Sequence, residues 1–285
     1  MKNVKVERSQ IEAAIAVVNS AGVLLLKGQA GVSWKLKTDG SFVTALDLET
    51  QESIKAQLRE IFPGYEFIGE EDPQSWSMAF RPQCRIILDP IDGTGAFARG
   101  LNYFGISLAV IDERHQPLLA ITHLPGLRKW CVASFEDQAP MRYEVACDGN
   151  LLRVSKLETV PSMRMDWRIE DSYTYVGSNA HQQLDLSAYP GKIRALGATV
   201  AHLALLADRT IDPIAVILTR YKVWDAAAAL PLAYANGLEI RNLTTGAGYR
   251  TEELFAEVTA NPPVLMVGDP KVLPALAHWV RVRGG

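Results

Sequence analysis

Three groups of acidic residues stand apart from scattered surface charge: Gly69-Glu70-Glu71-Asp72, Asp89-Pro90-Ile91-Asp92-Gly93-Thr94 and Trp224-Asp225. The first two follow short strand-like apolar runs, and the third opens a helix. In the middle group the run Ile86-Ile87-Leu88 enters Asp89, and Pro90 fixes φ and removes an N–H. Asp92 follows, and Gly93 then permits a tight turn. Two carboxylates at a strand end repel each other unless a cation sits between them. Hard oxygen donors favour Mg²⁺ or Mn²⁺, which bind through few carboxylates plus a substrate phosphate. Gly93-Thr94-Gly95 leads into a short helix whose first N–H groups offer a phosphate cradle. Taken alone, the hexapeptide also reads as a plain turn with aspartate caps.

Other chemistries find no support. The chain has no GxSxG, no P-loop, no Rossmann fingerprint and no compelling Cys–His pairing. His115 reads as a loop residue, and His181, His202 and His278 as helix surface or packing residues.

The elements that must hold the acids follow from periodicity. Ser9-Gln10-Ile11-Glu12 has the form of a capping box, and Ile11, Ile15, Val18 and Gly22 repeat at helical spacing. A second helix is predicted over Ala45 to Phe62, with Leu46, Ile54, Leu58 and Ile61 inward, stopped by Pro63-Gly64. Short apolar runs then read as strands: 66–68, 85–88, 106–111, 118–122 and 129–133, with Asp112 to Gln116 as a hairpin loop. The first half is thus helices over an antiparallel meander. The stretch from Phe135 to Asn150 is the least regular and marks a subdomain boundary. Beyond it strands and helices alternate: strands at 173–176, 192–196, 214–218 and 265–267, and helices near 181–189, 199–207, 224–235 and 271–280. That alternation predicts an α/β layer, so the fold class is a layered α+β and α/β arrangement. The expected division is 1–145, with most of the acidic motifs, and 146–285, with Trp224-Asp225.

Composition bounds the reading. The chain has 285 residues, 48% hydrophobic and 21% charged, which excludes a disordered or fibrous protein. A net charge of −3 gives no basic excess for nucleic acid as a bulk partner. Cys84, Cys131 and Cys147 form no CxxC, so reduced thiols in a cytoplasmic protein are expected. Glu12, Asn19 and Ser20 interrupt the apolar stretch from Ile11 to Leu26, so neither a signal peptide nor a membrane span is expected.

The three acidic motifs, in this order, resemble the inositol monophosphatase family. Lys37, Val43-Thr44 and Asp47 resemble its N-terminal signature, and Gly197-Ala198-Thr199 resembles its small-residue turn before a helix. The resemblance spans essentially the whole chain and implies an αβαβα sandwich, two or three Mg²⁺ ions, lithium sensitivity and a homodimer. It places Glu70, Asp89, Asp92, Asp225 and the Ile91 carbonyl as metal ligands. Asp47 and Thr94 would orient the attacking water, with Glu71 a supporting acid near the metals. Gly93 and Thr94 would give N–H groups to the phosphate, and Gly197 would stand beside the substrate.

The implied activity is Mg²⁺-dependent hydrolysis of a small phosphate monoester. The alternatives are a 3′(2′),5′-bisphosphate nucleotidase, a histidinol-phosphatase and, from another class, a regulatory binding protein on a phosphatase fold. The complete set of acids argues against the last. This sequence departs from the family at Gly95-Ala96-Phe97. It also lacks the glutamate that inositol phosphatases place before the Trp-Asp motif, where Thr219, Arg220, Tyr221 and Lys222 stand instead. Arg220 and Lys222 would face a second phosphate or carboxylate on the substrate, or else stand as solvated rim charges.

Overall fold

The computed structural model describes residues 4–76, 83–148, 151–160, 168–208, 213–255 and 262–283. In chain order the first half runs α1 (Arg8–Gly28), β1 (Trp34–Leu36), β2 (Phe42–Thr44), α2 (Ala45–Ile61), β3 (Glu66–Gly69), α3 (Pro73–Trp76), β4 (Arg85–Asp92) and α4 (Thr94–Phe97). It continues through β5 (Gly105–Ile111), β6 (Pro117–Leu124), β7 (Lys129–Glu136), β8 (Ala139–Asp148) and β9 (Leu151–Leu157). The remainder is β10 (Tyr173–Val176), β11 (Leu184–Asp185), β12 (Lys192–Arg194), α5 (Thr199–Asp208), β13 (Pro213–Leu218), α6 (Val223–Ala226), α7 (Ala229–Ala235), β14 (Glu239–Asn242), β15 (Leu265–Gly268), α8 (Leu273–Ala277) and β16 (Arg281–Val282).

Two sheets carry the molecule. Strands β3 to β9 form a seven-stranded sheet in sequence order. It is antiparallel throughout except for the parallel β3–β4 pair, a departure from the all-antiparallel meander the sequence predicts. The second sheet has the order β12-β10-β13-β15-β14, with β12, β10 and β13 parallel and the others antiparallel.

Alternate side chains of the large sheet face two different cores. Ile86, Leu88, Ile106, Leu108 and Ile121 pack against α1 and α2 through Ile11, Ile15, Val18, Ile54 and Leu58. Ile87, Ala109, Ala120 and Ala133 face a middle layer built from α5 and α7, which also covers Val216, Leu218 and Val267 of the small sheet. Ala215, Ile217 and Met266, on the small sheet's other side, meet Leu273 and Leu276 of α8. The layers therefore run αβαβα. Strands β4, β5 and β6 are buried along their whole length, because both of their faces are covered.

Several local expectations differ from the structure. The cap of α1 lies at Glu7, whose N–H donates to Gln10 Oε1 (2.9 Å), rather than at Ser9. The expected helix at 181–189 is a short 3₁₀ turn, Ala180–Gln182, followed by β11, which pairs with β16. Leu184 and Leu186 are two residues apart, a strand spacing that the helix reading overlooked. The terminal helix shortens to Leu273–Ala277. The stretch from Phe135 is regular: β7, β8 and β9 are consecutive antiparallel strands. Residues 149–150 lie outside the described residues. The large sheet thus extends to Leu157, and the strands of the small sheet begin at Tyr173. None of the three cysteines, all within the described residues, is in a disulfide.

Candidate active site

Strand β4 ends in the hexapeptide and delivers Asp89 and Asp92 to one end of the large sheet. The β4–β5 ladder is interrupted between them, pairing Asp89 with Ser107 and then Asp92 with Gly105. The Asp89 carboxylate accepts the Ile91 N–H (2.9 Å), which fixes the turn through Pro90. Asp225 arrives from the other sheet on α6 and accepts the Lys222 N–H (2.9 Å). Ser107 ties the two together by donating to Trp224 O (3.0 Å). The carboxylates of Asp89, Asp92 and Asp225 offer oxygens that all lie within 4.8 Å of one another.

Such a trio is electrostatically uncomfortable without a cation. Burial, followed by Glu70, Asp92 and Asp225, drives the Asp89 carboxyl well above the usual range. Burial and then Asp225 do the same to Asp92. Burial, reinforced by Glu70, pushes Asp225 up to about 7. Each group resists ionisation in the bare site, and all the donors are oxygens. That combination fits a hard divalent cation, which would restore the ionised forms.

Glu70 and Glu71 follow β3 and reach the same region. Both are paired with Lys37 Nζ, at 2.9 and 2.6 Å. Burial raises Glu71 to about 7 even with Lys37 beside it. The Glu71 N–H donates to Gln51 Oε1 (2.9 Å). A Cβ on Gly69 would lie only 2.2 Å from that same oxygen, so a side chain there would displace the Gln51 amide.

Asp47 is fully buried in the first turn of α2. Its Oδ2 accepts the N–H (2.7 Å) and hydroxyl (2.6 Å) of the helix-capping Thr44. Its Oδ1 faces the Thr94 hydroxyl at 3.1 Å, which also lies 3.0 Å from Ile91 O. Thr94 has one hydroxyl proton, so it donates to one of these acceptors at a time. Gly93 precedes it at φ 83, a left-handed conformation suited to glycine. A Cβ there would approach Ala198 Cβ to 2.6 Å and Gly197 O to 3.2 Å. Helical bonding begins only with the Ala96 N–H, which donates to Gly93 O (2.8 Å).

The structure thus gathers Asp47, Glu70, Glu71, Asp89, Ile91, Asp92, Gly93, Thr94, Gly197 and Asp225 around one end of both sheets. Arg220 is different: it is exposed on the loop after β13 and adopts φ 52. Lys222 is also exposed. Sequence reasoning missed the bond from the Val200 N–H to Asp92 Oδ2 (2.6 Å), which seats Asp92 on the first turn of α5. It also left Gln51 and Ser107 unassigned. The Thr44-x-x-Asp47 spacing, a capping pattern, was the legible signal for the Asp47 environment.

The inositol monophosphatase family model matches residues 6–274. The chain belongs to the inositol monophosphatase family. It is a phosphoric monoester hydrolase. Among its relatives, a 3′(2′),5′-bisphosphate nucleotidase CysQ of Shigella flexneri is 34% identical over 209 residues, covering 72% of this chain and 78% of that protein. A solved IMPase/NADP phosphatase with NADP and Ca²⁺ superposes at TM-score 0.73 and 19% identity, covering 97% of each chain. Another structure, of an IMPase/NADP phosphatase with Mg²⁺ and phosphate, superposes at 0.71 and 18%, again covering 97% of each. Within this family, the αβαβα layering expected from sequence is what the chain adopts.

Proposed function

We propose that this member of the family hydrolyses a small nucleotide or sugar phosphate monoester with Mg²⁺ held by Glu70, Asp89, Asp92, Asp225 and the Ile91 carbonyl. The observation that carries this reading is the trio of buried Asp89 and Asp92 with half-buried Asp225, contributed by both sheets and beside the Gly93 turn. Bound there, Mg²⁺ lowers the pKa of water and neutralises phosphoryl and leaving-group oxygens.

The chain's own groups supply orientation and proton handling. With its proton directed at Asp47 Oδ1, Thr94 turns a lone pair outward to accept a hydrogen bond from the attacking water. Two donors from Thr44 hold Asp47 in one rotamer, so the Asp47–Thr94 pair takes up the water's proton without rearranging. The water oxygen bonds to phosphorus as the bond from phosphorus to the alcohol oxygen breaks, and that alkoxide takes its proton from solvent water. The Gly93 and Thr94 N–H groups face the phosphoryl oxygens, and Gly197 and Ala198 wall that side. Lys37 pairs with both Glu70 and Glu71 and offsets part of the negative charge gathered there.

The similarity to a bisphosphate nucleotidase, together with Arg220 and Lys222 where inositol phosphatases carry an acid, favours a leaving group with a second phosphate. A phosphate-release panel with Mg²⁺ tests both levels. It contains inositol 1-phosphate, phosphoadenosine phosphate, histidinol phosphate and fructose bisphosphate. Highest kcat/KM on phosphoadenosine phosphate supports the finer reading. Undiminished turnover after metal-free dialysis into EDTA removes the metal mechanism.

A further inference from the structure

Glu70 and Asp225 come to the acidic centre on two separate segments of chain, the turn after β3 and helix α6, and one side chain touches both segments. The turn folds back on itself. The Gly69 N–H donates to Ser75 Oγ (3.3 Å), and the Ser75 hydroxyl donates in turn to Asp72 O (2.6 Å). Gly69 O accepts the Asp72 N–H (3.2 Å) and, with its second lone pair, the indole N–H of Trp76 (2.9 Å). Trp76 closes α3, and its ring lies on that of Trp224, with centroids 4.7 Å apart and planes inclined by 33°. That separation belongs to a favourable aromatic pair. The indole is therefore bonded at its edge to the residue before Glu70 and packed by its face on the residue before Asp225.

Two further observations give this contact a purpose. Trp224 belongs to the buried middle core, whereas Trp76 is 37% exposed on its flank. The other anchors of the two segments lead elsewhere. The Glu71 N–H is held by Gln51 of α2, and Asp72 pairs with Lys55 of the same helix at 3.2 Å, while Trp224 O is held by Ser107 of β5. The turn is thus tied to α2 and α6 to β5, and the indole pair ties the one to the other. Carboxylates on the two segments push them apart when no cation lies between. The indole pair opposes that push.

We infer that Trp76 is a positioning residue for the bound cation: by joining the turn after β3 to α6, it holds Glu70 at the distance from Asp225 that an ion can span. The inference rests on the Mg²⁺ reading above and goes beyond it, because it assigns cation affinity to a side chain that carries no metal-binding atom.

Mn²⁺ is the probe, since it takes the same oxygen donors as Mg²⁺ and its free ion is counted by electron paramagnetic resonance. Titrated into the full chain, it should bind Trp76→Ala about three- to tenfold more weakly than wild type, the span expected of one aromatic pair. The Mg²⁺ concentration for half-maximal phosphate release should rise by the same factor, while kcat and KM at saturating Mg²⁺ return to wild-type values. Trp76→Phe keeps a ring on Trp224, gives up only the bond to Gly69 O, and should fall between the two. It decides the matter if Trp76→Ala folds poorly. Equal Mn²⁺ affinity in wild type and every folded variant would overturn the inference, whatever the melting temperatures do, because Trp76 would then be surface packing. So would a raised KM at saturating Mg²⁺ with Mn²⁺ affinity intact, which would set the indole against the substrate instead. Wild-type protein that takes up no Mn²⁺ would remove the metal reading itself, and the clamp with it.

Discussion

Asp92 shows how much one side chain carries. It belongs to β4, accepts from the start of α5 and lies within reach of Asp225. Asp92→Asn keeps its size and removes a charge. We expect kcat/KM to fall by about 10²–10³, roughly the 2.7–4 kcal/mol lost with one electrostatic anchor of a transition state. The metal-free variant should melt at or above the wild-type temperature, because it sheds repulsion among neighbouring carboxylates. Near wild-type kcat/KM would reduce Asp92 to a turn residue. The types and spacing of Glu70, Asp89, Asp92 and Asp225 were readable in the sequence because the first three follow apolar runs and the last opens a helix. The bond from the Val200 N–H was not readable, since nothing local to Asp92 encodes a partner 108 residues away.

Elements set the tolerances within which such residues work. The Gly93 turn between β4 and α4 meets the Gly197 turn before α5. Gly93→Ala meets both a left-handed backbone and a 2.6 Å approach to Ala198. It should cost about 1–3 kcal/mol of stability through strain, measured by denaturant melts, and activity should fall further than stability. On α5, His202 Nε2 accepts the Leu196 N–H (2.9 Å) and so holds the entry to the helix. Burial lowers His202 to about 4. The unfolded value is about 6.5, so the neutral ring contributes stability above that pH and loses it as pH falls through 4. Stability should therefore drop over this interval, by about 3 kcal/mol for His202 at 1.36 kcal/mol per unit, and the melting temperature with it. His202→Gln keeps an acceptor for Leu196 and should flatten the slope. Part will persist, because His123, stacked 3.7 Å from Trp130, is also lowered by burial to about 4. A variant as acid-sensitive as wild type would dismiss His202 as the cause.

The legibility of elements follows their exposure. Helix α1 and strands β4 to β6 were found because one stripe or both faces are apolar. The β8–β9 hairpin escaped notice because it runs to the edge of the sheet, where exposed residues such as Glu144, Arg153 and Lys156 leave no continuous apolar run like those of β4 to β6. The single helix read from Trp224 to Ala235 is two short helices, α6 and α7. Ala-rich sequence favours helix throughout and does not mark the break.

For the molecule as a whole, the acids are a joint between two sheets. A cation held by Asp89 and Asp92 on one side and Asp225 on the other would bind only the assembled chain. Mg²⁺ at 100 times its dissociation constant should therefore add about 2.7 kcal/mol to stability. At this chain length that is a rise of about 4–5 °C in melting temperature, reversed by EDTA. A melting temperature indifferent to Mg²⁺ would mean that the trio does not hold the ion.

The bonds that close this joint also span long stretches of chain: 108 residues from Asp92 to Val200 and 117 from Ser107 to Trp224. Contacts so distant in sequence form late, after the entropy of closing large loops has been met by other interactions. The active centre is then the last part of the protein to come into being on refolding. Strand and helix signals in circular dichroism should recover first, with phosphate release lagging behind them. During that lag the nascent enzyme is folded in outline and chemically silent.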